Sequence, residues 1–543
     1  MPMLKMRIRG VGLVLLLALL FLCGAGNAPG AALPSRADRT AGATKGRPGP
    51  AAPEDLPARD SVSQYGITWT FQNQVPVGQF VNGDWYVVGP VTIIAIDPKP
   101  LWGDEVGELI NRDGVQEGKY RGRTARHGSV LNPRCDRKNA EGYRFCAGFD
   151  SRIPHGRYDP DQFAHLPIRM EPGDALVSTI SRRNEEITRF SGQHVDPLRV
   201  AAVLTCVAKP QPADAFRPSY CDTANCKAYL ARNVRRELLL SLPRPGSAPA
   251  ALASYAAQFQ KPWLDIAEFG FAAPVDNLPH YGQQVVGLVG DAGLLLHMDY
   301  PADQKEPLLI NLLQVGIDFW GLARSGRSWR SHGGLNSGRK WPILFAGILL
   351  EDPEMQSPQR VIPGLHFHED DQTAMCPYHY RGKTHERGWT GAKAIFTGHS
   401  LPEGGGRCGS WEDGWGTVDL YHPSEWPARK SGVTASEGYR RANTSCSWVG
   451  QALAARLMHA EKVWDHDAFF AYVDRWMTED DTPFVAEIAK ARGVKFADRR
   501  GVFFRQGHVM QGRFVKEMWD AYRNHLPPAP DGHRDPPAEQ TWR

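Results

Sequence analysis

The segment between His332 and Lys340 gathers side chains that could bind an anionic group. Its sequence is His-Gly-Gly-Leu-Asn-Ser-Gly-Arg-Lys, and the apolar run Trp341 to Leu350 that follows predicts a buried helix. Arg339 and Lys340 would then project from the helix N-terminus, next to His332 and Asn336. Backbone N–H groups at a helix start and neighbouring cations suit an anionic ligand. A helix cap with solvated cations is the alternative.

A second polar segment begins at His366 with the sequence His-Phe-His-Glu-Asp-Asp. His368 could act as a general base with Tyr380 as proton donor, or Glu369 and Asp370 could form a carboxylate pair. We predict no cofactor. A divalent metal held by His366 and His368 is the alternative, because both side chains would face one side of an extended segment. A polar surface loop without chemistry is a further alternative.

A Gly-rich segment over residues 404–416 carries Trp411 and Trp415 beside Glu412 and Asp413. Aromatic faces can stack on sugar rings, while carboxylates accept hydrogen bonds from hydroxyl groups. We therefore predict that the two tryptophans bind substrate, unless they fill a core. Three further residues, at the starts of predicted helices, would extend this substrate-binding set: Lys340, Tyr439 and Arg440.

The elements that must position these residues divide the chain in two. Residues 63–223 contain short alternating strand patterns separated by Gly, Pro and Asp, which predict a β-sandwich-like domain. Residues 224–525 have helical apolar spacing interrupted by long loops, which predicts an α/α toroid-like helical domain. An irregular helical bundle is the alternative for this second half. The helices expected before the polar segments are Ala224 to Leu242, Ala251 to Ile266, Gln283 to Met298 and Glu306 to Ala323.

The two ends of the chain predict export and loose tails. Lys5, Arg7 and Arg9 precede an apolar run that ends at Cys23, so residues 1–28 are expected to be a signal peptide. We predict a periplasmic or extracellular protein with no membrane span after cleavage; a lipoprotein attached through Cys23 is the alternative. Residues 29–62 are expected to be a flexible linker, and residues 526–543 a Pro-rich tail.

The number of cysteines indicates whether the exported protein could contain disulfides. The chain has nine cysteines, and an even number remains after Cys23, which suggests disulfides in an oxidising compartment. Local pairs between Cys135 and Cys146 and between Cys221 and Cys226 are plausible.

The first 60 residues carry eight basic and four acidic side chains, and the remainder carries 55 of each sign. A neutral body argues against a nucleic-acid partner.

Two helical segments carry a resemblance to known proteins. They are Gly338-Arg-Lys-Trp-Pro-Ile-Leu-Phe-Ala-Gly347 and Trp448-Val-Gly-Gln-Ala-Leu-Ala-Ala-Arg-Leu457. In architecture the chain resembles bacterial exported polysaccharide-degrading enzymes, polysaccharide lyases and some glycoside hydrolases, which join an α/α toroid to a β-sandwich. The sandwich comes first here, unlike the commoner order, and the Asn-Asn-His signature of one alginate lyase group is absent. The resemblance implies a polysaccharide substrate and transfers no catalytic residue.

Two mechanisms fit this expectation. A lyase acting on a uronic-acid polymer needs a neutralised carboxylate, a base and an acid, and five residues supply those types: His332, Asn336, Arg339, His368 and Tyr380. A glycoside hydrolase needs two carboxylates, which four residues could supply: Glu369, Asp370, Glu412 and Asp413. We favour the lyase because Arg, His, Asn and Tyr occur in the same loops. A non-catalytic glycan-binding envelope protein is the alternative outside enzymes, and we make no prediction of oligomeric state.

Overall fold

The computed structural model describes most of the chain after its N-terminal segment. The described residues are 55–154, 156–187, 190, 195–270, 272–279, 281–398, 411, 414–427, 434–493 and 512–529. The predicted signal peptide, residues 29–54 of the predicted linker and residues 530–543 of the predicted tail lie outside them, as do Cys408, Glu412 and Asp413. Within these ranges, no helix is both long and apolar enough to span a membrane.

The first region is a curled sheet of eight strands. The strands of this region are β1 (Ala58–Gln64), β2 (Ile67–Gln79), β3 (Trp85–Val88), β4 (Val91–Asp97), β5 (Leu101–Trp102), β6 (Asn111–Arg112), β7 (Val115–Gln116), β8 (Ala125–Arg126), β9 (Ser129–Leu131), β10 (Ile168–Met170), β11 (Ala175–Ser181) and β12 (Leu198–Val207). The main sheet has the order β10-β4-β2-β3-β12-β11-β9, with β1 on β2. The β3–β12 pair is parallel.

The long strand β2 produces the curl. Its first half pairs with β1 and β4, whereas its last residues pair with β3. Ile67, Trp69 and Phe71 alternate along the first half and are buried in one apolar cluster with residues of β11 and β12. Trp69 donates a hydrogen bond from Nε1 to Ser178 Oγ on β11 at 2.9 Å, across the curl. The alternation predicted from sequence therefore buries one face of the sheet.

Three elements differ from the sequence prediction. The helix predicted from Ala251 to Ile266 ends at Gln260, because Pro262 disfavours helical backbone at Lys261. Strand β1 begins at Ala58, inside the predicted linker, because its residues pair with β2 from Ala58 opposite Pro76 onward. The helix predicted from Ala224 is wrong, since short 3-10 turns occupy that segment. The Tyr229 carbonyl accepts from Phe216 N, and the Ala231 carbonyl accepts from Arg236 Nη1 at 2.6 Å. These partners take the acceptors that a continuous helix would need.

Helices dominate the later region. Those within the described ranges are α1 (Ala253–Gln260), α2 (Gly282–Leu296), α3 (Ala302–Arg324), α4 (Lys340–Leu349), α5 (Pro353–Gln356), α6 (Pro358–Val361), α7 (His368–Asp371), α8 (Ala435–Tyr439), α9 (Val449–Leu457), α10 (Glu461–Trp464), α11 (Asp467–Thr478), α12 (Thr482–Arg492) and α13 (Gly512–Tyr522). Two short ladders lie among them: β13 (Thr373–Met375) with β16 (Ala394–Phe396), and β14 (Tyr378–Tyr380) with β15 (Lys383–His385). The predicted order of β before α is confirmed; a closed ring of helices stays a prediction.

Close helix crossings set the position of the polar loops. Helix α3 is buried from Leu308 to Ala323 and packs on α4, where a Cβ on Gly316 would lie 2.3 Å from the Pro342 carbonyl oxygen. Helices α2 and α9 cross at Gly290 and Gly450, and a Cβ on Gly290 would lie 2.8 Å from the backbone nitrogen of Gln451. Glycine therefore allows the backbones to approach, which brings the starts of α4 and α9 together.

The sheet region and the helices belong to one compact unit. Arg217 joins them, because its Nε donates to Asp84 Oδ2 at 2.5 Å and its Nη2 donates to Asp318 Oδ2 at 2.6 Å. Asp84 precedes β3 and Asp318 lies on α3. All three side chains are about 1% exposed. A buried charge triad thus ties the sheet to the central helix.

Candidate functional site

The Gly-rich loop at residues 332–338 lies against the short helix α7. The Gly338 N–H donates to Glu369 Oε1 at 2.6 Å, and Gln372 Nε2 donates to the Gly333 carbonyl at 3.2 Å. Trp448 Nε1, just before α9, donates to Ser337 Oγ at 3.0 Å. Two of the polar segments singled out from the sequence therefore meet, and we call this assembly the loop site.

Gly338 cannot be replaced without strain. Its φ is +90°, and a Cβ there would lie 2.8 Å from Val286 Cα on α2. The left-handed backbone at this residue turns its N–H toward Glu369. Because glycine can adopt this backbone conformation, the Gly338 N–H can donate a hydrogen bond to the buried Glu369 side chain.

Beneath the loop lies a layer of buried polar side chains with unmatched atoms. Five residues at most 1% exposed carry oxygen or nitrogen atoms that have no hydrogen-bond partner among the described residues. They are Asn336 (Oδ1), His368 (Nδ1 and Nε2), Glu369 (Oε2), Gln372 (Oε1) and Gln451 (Oε1). Buried polar groups are nearly always paired in folded proteins. Such a concentration is typical of a site that holds ordered water or polar ligand groups.

His368 is one of three candidates from the sequence that are 0% exposed, with Lys340 and Glu369. Burial and, to a smaller extent, the nearby positive charge of Arg339 lower its pKa to about 3, while a hydrogen bond with Gln372 opposes the shift. The imidazole is therefore neutral at physiological pH. Its ring meets the Trp448 ring edge-on at 6.4 Å between centroids. A neutral ring with one donor and one acceptor can orient polar groups here but carries no charge.

Glu369 holds the layer together from α7. Its Oε1 accepts from Gly338 N and also from Gln451 Nε2 at 2.9 Å. Burial raises the pKa of this carboxyl despite both hydrogen bonds. The site thus contains a carboxyl group whose uncharged form is favoured.

Above the loop the side chains are partly exposed. The Tyr439 ring lies over Gly333, where an added Cβ would be 2.8 Å from its Cε1, and the Tyr281 hydroxyl lies over Gly334. The two phenols share a hydrogen bond, and burial raises both pKa values. Trp415 packs on Tyr439 with 5.4 Å between ring centroids. An aromatic wall therefore borders the loop, and the substrate-binding role of Trp415 and Tyr439 stays a prediction.

His332 stands at the edge of this wall. Burial lowers the pKa of His332, the charge of Arg157 lowers it further, and the Glu268 carboxylate acts in the opposite sense. His332 and His368 are also near enough that the charge of one depresses the pKa of the other. His332 is therefore a neutral base at neutral pH, with the opposite charges of Arg157 and Glu268 nearby.

Arg157 was not anticipated from the sequence. Its Nη2 pairs with Glu268, while Nε and Nη1 find no partner in the described part of the chain, and its side chain is 12% exposed. It belongs to the irregular segment before β10 and reaches the loop site only through the fold. The sequence offers no spacing signal for it, because its neighbours Glu268 and His332 are far away along the chain.

Three predicted ligand-binding cations are engaged inside the protein. Arg339 donates to both oxygens of Asp265 at 3.1 Å, and Lys340 pairs with Asp370 at 2.5 Å. Arg440 donates to the Tyr472 hydroxyl at 2.9 Å and is 4% exposed. Because their charges are balanced in the core, we do not include them among substrate-contacting groups.

The remaining predicted residues form a separate aromatic group. Trp411 lies 4.5 Å from Tyr421 and Tyr380 lies 6.3 Å from it, between ring centroids. The Tyr380 hydroxyl reaches Gly416, where an added Cβ would be 2.7 Å away. Trp411 and Gly416 are close to Trp415 along the chain. Among the described residues, this group makes no contact with His368.

The two histidines predicted as metal ligands lie in different surroundings. His366 Nδ1 faces Asp371 Oδ1 at 2.9 Å, whereas His368 is buried on α7. In the ranges that the structure describes, no group of three or more His, Cys, Asp or Glu side chains is arranged to hold a metal ion. The hypothesis of a metal at His366 and His368 gains no support from this geometry.

A distinct concavity of about 240 Å³ lies on the sheet, beside Gln72, Thr92 and Arg169. No histidine or carboxylate lines it. Its one cation, Arg169, pairs with Glu171 at 2.6 Å. We therefore place the candidate chemistry at the loop site and not in this concavity.

No protein-family model, curated protein or solved structure matches this chain.

Replacing Glu369 with Gln should raise stability at neutral and alkaline pH. Because burial raises the carboxyl pKa, its contribution is present at low pH and is lost as pH rises through the folded-state value, above the ordinary 4.5. We expect Glu369→Gln to gain about 1–3 kcal/mol over wild type at pH 8 and little at pH 4. Urea unfolding at both pH values measures this. The exposed Glu386→Gln is the control, and an equal or smaller gain in Glu369→Gln would contradict the expectation.

Proposed function

We propose that the protein is an exported enzyme that cleaves a uronic-acid-containing polysaccharide by β-elimination at the loop site. In this proposal the curled sheet is a β-sandwich-like domain and the helices form an α/α toroid-like domain. The observation that supports it best is that the positive charge of Arg157, a guanidinium with N–H groups unmatched among the described residues, lies near enough to His332 to help lower its pKa and keep the imidazole neutral. Tyr439 and Tyr281 complete the set across the loop.

Each group matches one requirement of β-elimination. Arg157, whose side chain is 12% exposed, would bind the uronate carboxylate, which makes the proton on C5 more acidic. His332, neutral because burial lowers its pKa, would remove that proton. The C5–H electron pair forms the C4–C5 double bond as the C4–O bond breaks. Tyr439, protonated because burial raises its pKa, would donate a proton to the leaving oxygen.

The buried layer would position the loop. Asn336 donates from Nδ2 to the Arg330 carbonyl at 2.7 Å, and Glu369 holds Gly338. We assign these residues, together with His368, to the orientation of the Gly333–Gly334 turn and of ordered water, because they are too deeply buried to contact a polymer. Trp415 would stack on a sugar ring next to Tyr439.

The hydrolase is the weaker candidate. Asp370 accepts from Lys340 and from Trp464 Nε1 at 3.0 Å, so it is not paired with Glu369 across an open space. Glu412 and Asp413 lie outside the described residues. No observation favours a carboxylate pair, and the lyase remains the proposal.

A panel of acidic and neutral polysaccharides tests the proposal. We expect new ultraviolet absorbance from unsaturated uronate with at least one acidic polymer and with no neutral one. The same polymer with its carboxyl groups reduced to alcohols should not be cleaved, since Arg157 would lose its ligand. New reducing ends without absorbance would favour a hydrolase, and binding without any cleavage would favour a glycan-binding protein; either result would reject the lyase.

A further inference from the structure

Two cysteines that are distant in sequence come together at the end of α3. Cys221 lies beside α3, where a Cβ on Gly321 would be 2.4 Å from its carbonyl oxygen, and the nearby Cys135 thiol helps to raise the pKa of the Cys221 thiol. Both are 0% exposed and belong to the same core cluster. Neither forms a disulfide in this structure, and none of the other five described cysteines does.

The backbone around the pair is fixed independently on both sides. Asp222, next to Cys221, accepts from Arg324 Nε at 2.9 Å at the last residue of α3. Asp136, next to Cys135, packs on the following turn, where a Cβ on Gly326 would lie 3.3 Å from the Asp136 Cα. The contacts at Arg324 and Gly326, two residues apart, therefore hold the two cysteine segments side by side at the end of α3. A disulfide requires this proximity of backbones.

The pairs expected from local spacing are engaged differently. Cys146 Sγ donates toward the Tyr143 and Gly156 carbonyls at 3.5 and 3.6 Å. Cys226 Sγ accepts from Ser219 N at 3.4 Å and donates to the Lys227 carbonyl at 3.4 Å. Among the described residues, neither of these thiols contacts its predicted local partner. The fold thus favours a long-range pair over either local one.

We propose that Cys135 and Cys221 form a disulfide that ties the irregular segment between β9 and β10 to the segment after β12, beside the end of α3. The oxidant is a protein or glutathione disulfide of an oxidising compartment. One cysteine thiolate attacks that disulfide and releases one thiol; the second thiolate attacks the mixed disulfide and releases the other. Two electrons and two protons pass to the oxidant, and one S–S bond forms in the chain.

Burial determines when the bond forms. A disulfide oxidant cannot reach two thiols that are fully buried, and burial also raises the pKa of Cys221 well above its usual range, which suppresses the reactive thiolate. Oxidation therefore precedes the final closure of the core, during folding. Once closed, the bond is shielded from small reductants.

Peptide mapping of the refolded protein tests the proposal. The full chain is unfolded, refolded in a glutathione redox buffer, alkylated, and digested without reduction. We expect a linked peptide pair containing Cys135 and Cys221 as the main cross-linked species. Recovery of Cys135–Cys146 or Cys221–Cys226 peptides in its place, or of both thiols fully alkylated, would overturn the proposal.

Thermal unfolding of alanine variants gives an independent readout. Wild type refolded with oxidant should melt roughly 5 °C above wild type refolded with reductant, since the bond closes a long loop. Cys135→Ala, Cys221→Ala and the double variant should each lose this difference between buffers. Cys146→Ala, a buried cysteine outside the pair, should keep it. A difference that persists in Cys135→Ala would contradict the proposal even if that variant is less stable.

Discussion

Replacing Arg217 with Met should lower the free energy of unfolding by about 3–5 kcal/mol, the typical cost of breaking a buried ion pair. The substitution leaves Asp84 and Asp318 buried without their shared cation. Burial already raises the pKa of Asp318 to about 6 with Arg217 in place. Gln64 and Asn82 also donate to Asp84 at 2.8 Å. After the substitution its carboxylate would be stabilised by these amide donors but by no cation. Urea unfolding measures the loss.

The control for Arg217 is an exposed ion pair. Arg360 pairs with Asp465 at 2.8 Å, with side chains 49% and 53% exposed, and Arg360→Met should cost no more than about 1 kcal/mol. A triple variant that adds Asp84→Asn and Asp318→Asn to Arg217→Met should recover much of the loss, because no buried charge is then unpaired. Equal costs for Arg217→Met and Arg360→Met would contradict the role assigned to the triad.

Replacing His332 with Ala should reduce kcat by about 10²- to 10⁴-fold on the polymer that wild type cleaves, because the proposed base is removed. His379→Ala is the matched control: His379 is exposed on β14 and contacts Thr384 at 3.3 Å, so its removal should leave kcat unchanged. Thermal unfolding of both variants separates loss of the base from loss of the fold. Comparable activity in His332→Ala and wild type would remove His332 from the mechanism.

The pH dependence of kcat/KM follows from the same groups. Because burial lowers the pKa of His332, activity should persist at neutral pH and fall on the acid side, below the ordinary histidine value of about 6.5. Because burial raises the pKa of Tyr439, the alkaline fall should come above its ordinary 10.0. A profile that falls between pH 7 and 9 would contradict these assignments.

Local patterns in the sequence predicted much of the fold. Helices α3 and α4 have sustained apolar spacing, and the Gly89-Pro90 turn between β3 and β4 was marked by its residue types. The helix predicted from Ala224 failed because distant partners, such as Phe216, take its carbonyl groups. Propensity describes local preferences and cannot account for hydrogen bonds that form only after folding.

The loop site was predictable only in part. The glycine-rich polar segment identified His332, and the start of a predicted helix identified Tyr439. Arg339 was expected to bind an anionic ligand, since the sequence does not reveal that Asp265 lies beside it in the core. Arg157 was missed because Glu268, with which it pairs, is far away along the chain.

The mass of the reaction products tests the central claim most directly. Wild-type protein is incubated with a uronate polymer, and the oligosaccharides are measured by mass spectrometry beside those of His332→Ala. The β-elimination at His332 and Arg157 predicts products that are lighter by one water than hydrolytic fragments, formed by wild type and largely absent with the variant. Fragments with the full mass of hydrolysis products, or no fragments from any uronate polymer, would contradict the account.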